Sequence, residues 1–165
     1  MKLLIFLHGT TIMHRSAAGR TRAERVQQVR DKETSVRDFA AYIPVGDAAN
    51  KLRRWNEQGA EIVYLSSHQR QDDVDKDQTV LRAYDFPAGQ VVFRQGGERY
   101  QDLAERVRPD VLIEDDCESI GGAAQMVYPR LQAAIQASMT SITVKEFEGI
   151  DHLPDDLATL QQRRG

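Results

Sequence analysis

Residues 2–11, Lys2-Leu3-Leu4-Ile5-Phe6-Leu7-His8-Gly9-Thr10-Thr11, pass without a break from an aliphatic run into a polar turn. A secretory leader and a buried strand can both begin this way. Here the run ends at His8-Gly9, too short for a leader's hydrophobic region, and no small-residue cleavage site follows. It reads as a first strand. Being continuously apolar and not alternating, it is expected to be covered on both faces.

The same kind of run recurs downstream at Glu61–Leu65, Val91–Phe93 and Val111–Ile113, with a fifth at Ile142–Val144. Between these runs the apolar spacing changes to that of helices. Ala48, Leu52 and Trp55 share one face, with Asp47 as N-cap and Gly59 just beyond the end. Val74, Leu81 and Tyr84 form a second face. Tyr100, Leu103, Ala104 and Val107 form a third, stopped by Pro109. Strand and helix in alternation imply an α/β fold, a doubly wound, three-layer parallel sheet of Rossmann-like type. No repeat or linker divides the chain, so residues 1–165 are read as a single domain.

Two segments depart from the alternation. Residues 11–42 carry one weak helical pattern (Ala23, Val26, Val29) and the arginines Arg15, Arg20, Arg22, Arg25 and Arg30. They read either as a solvated helical excursion or as a flap over the crevice meeting an anionic ligand. Asp155–Arg163 reads as a short helix or a frayed end.

Composition narrows the classes of function. The 165 residues are 41% hydrophobic and 28% charged, an ordinary globular balance. A net charge of −3 argues against wholesale nucleic-acid binding. No stretch approaches the ~20 apolar residues that span a bilayer. Cys117 is the single cysteine, so no internal disulfide forms and a reducing, cytoplasmic location is expected. The oligomeric state leaves no mark on the sequence.

In an open parallel sheet, ligands sit beyond the carboxyl ends of the strands. Here those ends read Phe6-Leu7-His8-Gly9-Thr10, Ser66-Ser67-His68 and Glu114-Asp115-Asp116. Such groups are costly to bury without a partner or a purpose. The series resembles the haloacid dehalogenase superfamily. Its first motif is Asp-x-Asp-Gly-Thr/Val after a hydrophobic strand, its second a strand ending in Thr or Ser, and its fourth a strand ending in paired acids. Gly9-Thr10, Ser66 and Asp115-Asp116 match in that order, over roughly Met1 to Gly122, with no room for a large cap domain. Arg94 and Arg99 are candidates for the basic residue of the third motif.

The resemblance implies a Mg²⁺-dependent phosphohydrolase, and the departures qualify it. Aligned on Gly9-Thr10, Phe6 stands at the family's nucleophilic aspartate and His8 at its general acid. Phenylalanine can neither attack phosphorus nor bind a cation. The segment from Phe6 to Arg15 holds no acidic residue at all. The chain therefore reads as a degenerate member, with Mg²⁺ weakened to the extent that one carboxylate is gone. The backbone carbonyl at position 8, which the family uses for Mg²⁺, survives.

Each remaining site residue has two readings. His8 is an acid/base or soft-metal ligand, or it caps a strand end. Asp115 and Asp116 hold a metal, or one of them caps the turn at Glu118-Ser119-Ile120. Ser66 and Ser67, with Gly9 and Thr10, cradle a phosphate, or are turn residues. His68 is surface or site, and Cys117 reads as a small, partly buried residue. Arg20 and Arg22 are the expected bidentate anion contacts of the flap. Glycine-rich nucleotide motifs, P-loops, nucleophile elbows and zinc spacings are absent. A receiver domain is ruled out because its acidic pair follows the first strand, not the fourth.

Two functions follow. One is a non-catalytic binding or regulatory module for a small anionic or phosphorylated ligand. The other is a metal-dependent phosphate-ester hydrolase using His8 and Asp115/Asp116 without a covalent intermediate. The first is favoured, since phosphate-monoester hydrolysis demands ~20 kcal/mol or more of barrier lowering.

Overall fold

The computed structural model describes residues 1–162. Its five-stranded sheet is wholly parallel: β1 (Lys2–Phe6), β4 (Glu61–Leu65), β5 (Gln90–Val92), β6 (Val111–Asp115) and β7 (Thr140–Val144) lie in the order β5-β4-β1-β6-β7. Every expected strand is present, within a few residues of its expected ends. β1, the most apolar, takes the centre, where both neighbours and both faces exclude water.

Alternation within each strand splits the core in two. Leu3 and Ile5 face one side with Ile62, Tyr64, Val111 and Ile113. That side is covered by α2 (Ala48–Glu57), α3 (Gln71–Ala83) and α6 (Leu157–Gln162). Leu4 faces the other side with Val63, Leu65 and Leu112, under α4 (Tyr100–Val107) and the segment ending in α5 (Ala133–Ala137). Trp55 anchors the first layer: its ring is fully buried, and its indole N–H donates to the Pro154 carbonyl at 3.0 Å.

The excursion after β1 is ordered by a small core of its own. Two-residue strands β2 (Ile12–Met13) and β3 (Ile43–Pro44) pair antiparallel, and α1 (Arg22–Arg30) lies over them. Val26 is buried with Met13, Ala17, Val45 and Phe147. Thr21 and Glu24 form a capping box at the start of α1, the hydroxyl accepting from the Glu24 N–H and the carboxylate from the Thr21 N–H at 2.7 Å. Gly59 follows the end of α2 as expected, but the start of the helix differs from expectation. Asp47 occupies the N-cap position but makes no capping bond; its side chain accepts from Asn50, and its N–H donates to the Asp151 carboxylate. Its φ of −99° and ψ of 31° fall outside the extended geometry that capping needs. The expected C-terminal helix is α6; Arg163 lies outside the described residues.

Trp55→Ala is expected to lower unfolding free energy by about 3–5 kcal/mol, the usual cost of emptying a large aromatic site. Urea unfolding measures it, and a loss under about 1 kcal/mol would contradict this account of the core.

Candidate functional site

The connection after β1 runs toward β4, and the one after β6 runs toward β7. The sheet is therefore open between the carboxyl ends of β1 and β6, where connections diverge. A cavity of about 210 Å³ lies there. Phe6, His8, Gly9, Ser67, Asp115 and Glu146 line it, with Val29 and Val36 of the excursion as part of its cover. Two groups of polar side chains flank it.

The first is built around Asp77. On α3, Val74, Asp77 and Leu81 share the inward face, which carries the Asp77 carboxylate into the interior with no exposure. Its Oδ2 accepts from the Ser66 hydroxyl at 2.6 Å, and its Oδ1 lies 2.9 Å from His8 Nε2 and 3.7 Å from His68 Nε2. His8 Nδ1 is hydrogen-bonded to the Ser67 hydroxyl. The His8 and His68 rings meet edge-on at 4.5 Å, walled by Phe39 and Tyr42. Burial, and then the neighbouring His8, hold the His68 imidazole below the usual histidine range.

The second group is acidic. Gly9 takes φ +82°, and a Cβ there would stand 3.0 Å from Glu146 Cγ and 3.1 Å from Asp115 Oδ2. Glycine thus lets the turn come down on two buried carboxylates. Asp115 accepts from the Thr10 hydroxyl at 2.7 Å and the Cys117 N–H at 2.9 Å. Glu146 accepts from both the N–H and the hydroxyl of Ser119. Glu114, also buried, accepts from the N–H groups of Val127 and Tyr128. Desolvation raises all three carboxyls above their ordinary range. Asp116 is half-buried and bonded by Arg22 at 2.9 Å. Burial, and then the surrounding carboxylates, push the Cys117 thiol well above its usual range, which disfavours the thiolate.

The expected residues sort clearly. Phe6 reaches the cavity with its ring edge-on to Tyr100 at 5.5 Å. Of the two basic candidates, Arg94 lies on this side: its guanidinium stacks over Tyr100 at 4.1 Å and donates to the Ser67 carbonyl, and its Nε is buried without a partner. Arg99 is turned to Asp102 at the exposed start of α4. The excursion covers the cavity with valines, not arginines. Arg22 is bound by Asp116 and Glu118, Arg25 by the carbonyls of Ala17 and Phe147, and Arg30 by Glu118, while Arg20 pairs with Glu24 at the surface. Asp115 accepts from the Cys117 N–H, but the Ser119 N–H within Glu118–Ile120 donates to Glu146, so neither Asp115 nor Asp116 takes the expected capping role there. Asp77 and Glu146 had not been singled out. Asp77 shares the Val74–Leu81 face and so carried a signal; Glu146, two residues past β7, carried only its place beyond a strand end.

No family model and no curated protein matches the chain. Solved structures do. The class C acid phosphatase of Bacillus anthracis superposes with a TM-score of 0.56 at 11% identity, over 90% of this chain and 68% of that one. A HAD family hydrolase from Deinococcus radiodurans R1, with bound phosphate and sodium, gives 0.51 at 13% identity over 99% and 87%. The fold is haloacid dehalogenase-like. A chain of the Pnkp1/Rnl/Hen1 RNA repair complex gives 0.55 at 13% identity, and this chain spans 42% of its length. At such identities the likeness establishes architecture and nothing of activity. No large cap is present among the described residues.

His14, also at the cavity, supplies a pH test. Burial holds its imidazole below the ordinary range, against a bond to Gln28 at 2.9 Å. A depressed histidine pKa means that the unfolded chain binds the proton first. The stability contribution is thus complete above the unfolded pKa of about 6.5 and lost as pH falls through the folded value. Urea unfolding at pH 7.5 and 5.5 should show a smaller acid loss in His14→Leu than in the wild type. Equal losses would contradict the assignment.

Proposed function

We propose that the chain is a degenerate haloacid dehalogenase-like module whose crevice binds a small anionic, phosphate-type ligand beside a divalent cation, without forming an aspartyl-phosphate. The observation that carries this reading is Phe6. At the end of β1, where the resemblance puts the nucleophile, an apolar ring lies against Tyr100. No carboxylate of the first loop can replace it.

The cation follows from the donor set. Asp115, Asp116 and Glu146 present carboxylate oxygens within 4.8 Å of one another, an all-oxygen set suited to Mg²⁺. Arg22 on Asp116 and the absent first aspartate both weaken that site. When bound, the cation would neutralise this acidic wall and offer positive charge to a ligand oxygen. A bare anion would be repelled by the same wall, so the two are expected to bind together. On the other side the Ser67 hydroxyl lines the cavity, and Arg94, which lies behind that lining on the Ser67 carbonyl and the Tyr100 ring, would supply the positive charge for the anion. No helix among the described residues is long and apolar enough to cross a membrane. With one cysteine and a net charge of −3, we read the protein as cytoplasmic and its partner as a small molecule, not nucleic acid.

One observation favours hydrolysis as a second reading. His8 stands between the Ser67 hydroxyl and the Asp77 carboxylate, an arrangement that orients an imidazole for proton transfer. Such an enzyme would activate water without a covalent intermediate.

Calorimetry with orthophosphate separates the two. Binding should require Mg²⁺ and weaken about tenfold or more in Arg94→Ala, the scale of one charge-assisted hydrogen bond. Aryl-phosphate turnover should stay at background. Robust turnover abolished by His8→Ala would replace the module with the hydrolase, and absence of Mg²⁺-dependent phosphate binding would remove the module reading.

A further inference from the structure

The acidic cluster accounts for one wall of the crevice and leaves the other unexplained. His68 is nine-tenths buried, its side chain 10% exposed, yet its Nε2 has no hydrogen-bond partner. Leaving a buried ring nitrogen unpaired is unfavourable unless something else occupies its lone pair. That nitrogen, His8 Nε2 and an Asp77 oxygen all lie within 4.8 Å of one another. They arrive from three elements: the turn after β1, the turn after β4, and the buried face of α3. The convergence is tertiary, not a run of neighbouring polar residues.

We propose that His8, His68 and Asp77 form a binding site for a first-row transition-metal dication of the Zn²⁺ class. Two imidazoles and one carboxylate are a donor set preferred by Zn²⁺, Co²⁺ or Fe²⁺ and a poor one for Mg²⁺ or Ca²⁺. The surroundings match what metal-binding histidines ordinarily have. With Nε2 on the ion, His8 donates its Nδ1 proton to the Ser67 hydroxyl, while Ser66 donates to the second Asp77 oxygen at 2.6 Å. Phe39, 4.2 Å from the His68 ring, and Tyr42, 5.4 Å from the His8 ring, dry the site on one side. His8 faces the cavity on the other. Three protein ligands leave coordination open to water or a ligand atom from the crevice. A single crevice is thereby flanked by two sites of opposite preference, one all-oxygen and one nitrogen-rich.

The test uses Zn²⁺ alone, without phosphate or Mg²⁺, on the full chain carrying no affinity tag, so its outcome is separate from that of the anion-binding reading. Competition against a chromophoric chelator should show one equivalent bound, undisplaced by millimolar Mg²⁺. His68→Ala should weaken it at least tenfold, and His152→Ala, at an exposed histidine, should leave it unchanged. Imidazole ¹⁵N spectra of the wild type, read even if His68→Ala misfolds, should show Zn²⁺ shifting the Nε2 signals of His8 and His68 and sparing His14 and His152. Failure of the wild type to bind Zn²⁺, or binding that shifts His152 or His14 in place of His8 and His68, would overturn the proposal.

Discussion

The turn after β1 sets its backbone at residue 9 directly against Glu146 and Asp115, where a Cβ would crowd both side chains and the φ of +82° favours glycine. From that approach the rest of the crevice follows. Phe147 N–H donates to the Gly9 carbonyl at 2.7 Å, tying the chain beyond β7 to the first turn. Thr10, the next residue, donates to Asp115. The turn, β6 and β7 are thus locked together, and His8 is carried across to α3 and Asp77 on the far side of β1. Sheet topology makes the opening; a missing Cβ lets polar groups close around it.

Electrostatics then gives the opening its character. Asp77, Glu114, Asp115 and Glu146 are all buried, and none is paired with a lysine or arginine among the described residues. Each is held by hydroxyls, backbone N–H groups or imidazoles. Such partners orient a carboxylate without neutralising it, and for Glu114, Asp115 and Glu146 desolvation makes the charged form expensive. The arginines nearby do not relieve this interior: Arg22 and Arg30 are drawn outward to Asp116 and Glu118. Protons or bound cations are what remains to balance the acids. The ligand-binding reading draws on this acidic wall, whereas the transition-metal site rests on the unpartnered His68 Nε2 and its convergence with His8 and Asp77.

The fold was legible because buried parallel strands and amphipathic helices leave periodic marks. Leu3–Ile5, Ile62–Leu65 and Val111–Ile113 are continuous apolar runs, and Leu52 and Trp55 repeat at helical spacing. The strand-end polar groups were legible for the same reason, since each follows such a run. What lay beyond reach was pairing at a distance. Five arginines within residues 15–30 suggested an anion-facing flap, but Arg22 meets Asp116, 94 positions away, and Arg25 meets the carbonyl of Phe147, 122 positions away. Local charge has no information about such partners. Asp77 was hidden among the acids of Asp72-Asp73-Val74-Asp75-Lys76-Asp77, where only its phase with Val74 and Leu81 sets it apart.

The central claim is that the crevice holds a phosphate-type anion and a dication together, with no covalent step at position 6. A crystal structure grown with Mg²⁺ and tungstate, a phosphate mimic, tests it most directly. The account predicts an ion among Asp115, Asp116 and Glu146, the oxyanion between it and Arg94–Ser67, and Phe6 unmodified. A crevice without ion or anion at saturating concentrations, or an oxyanion bonded covalently to a side chain, would contradict it.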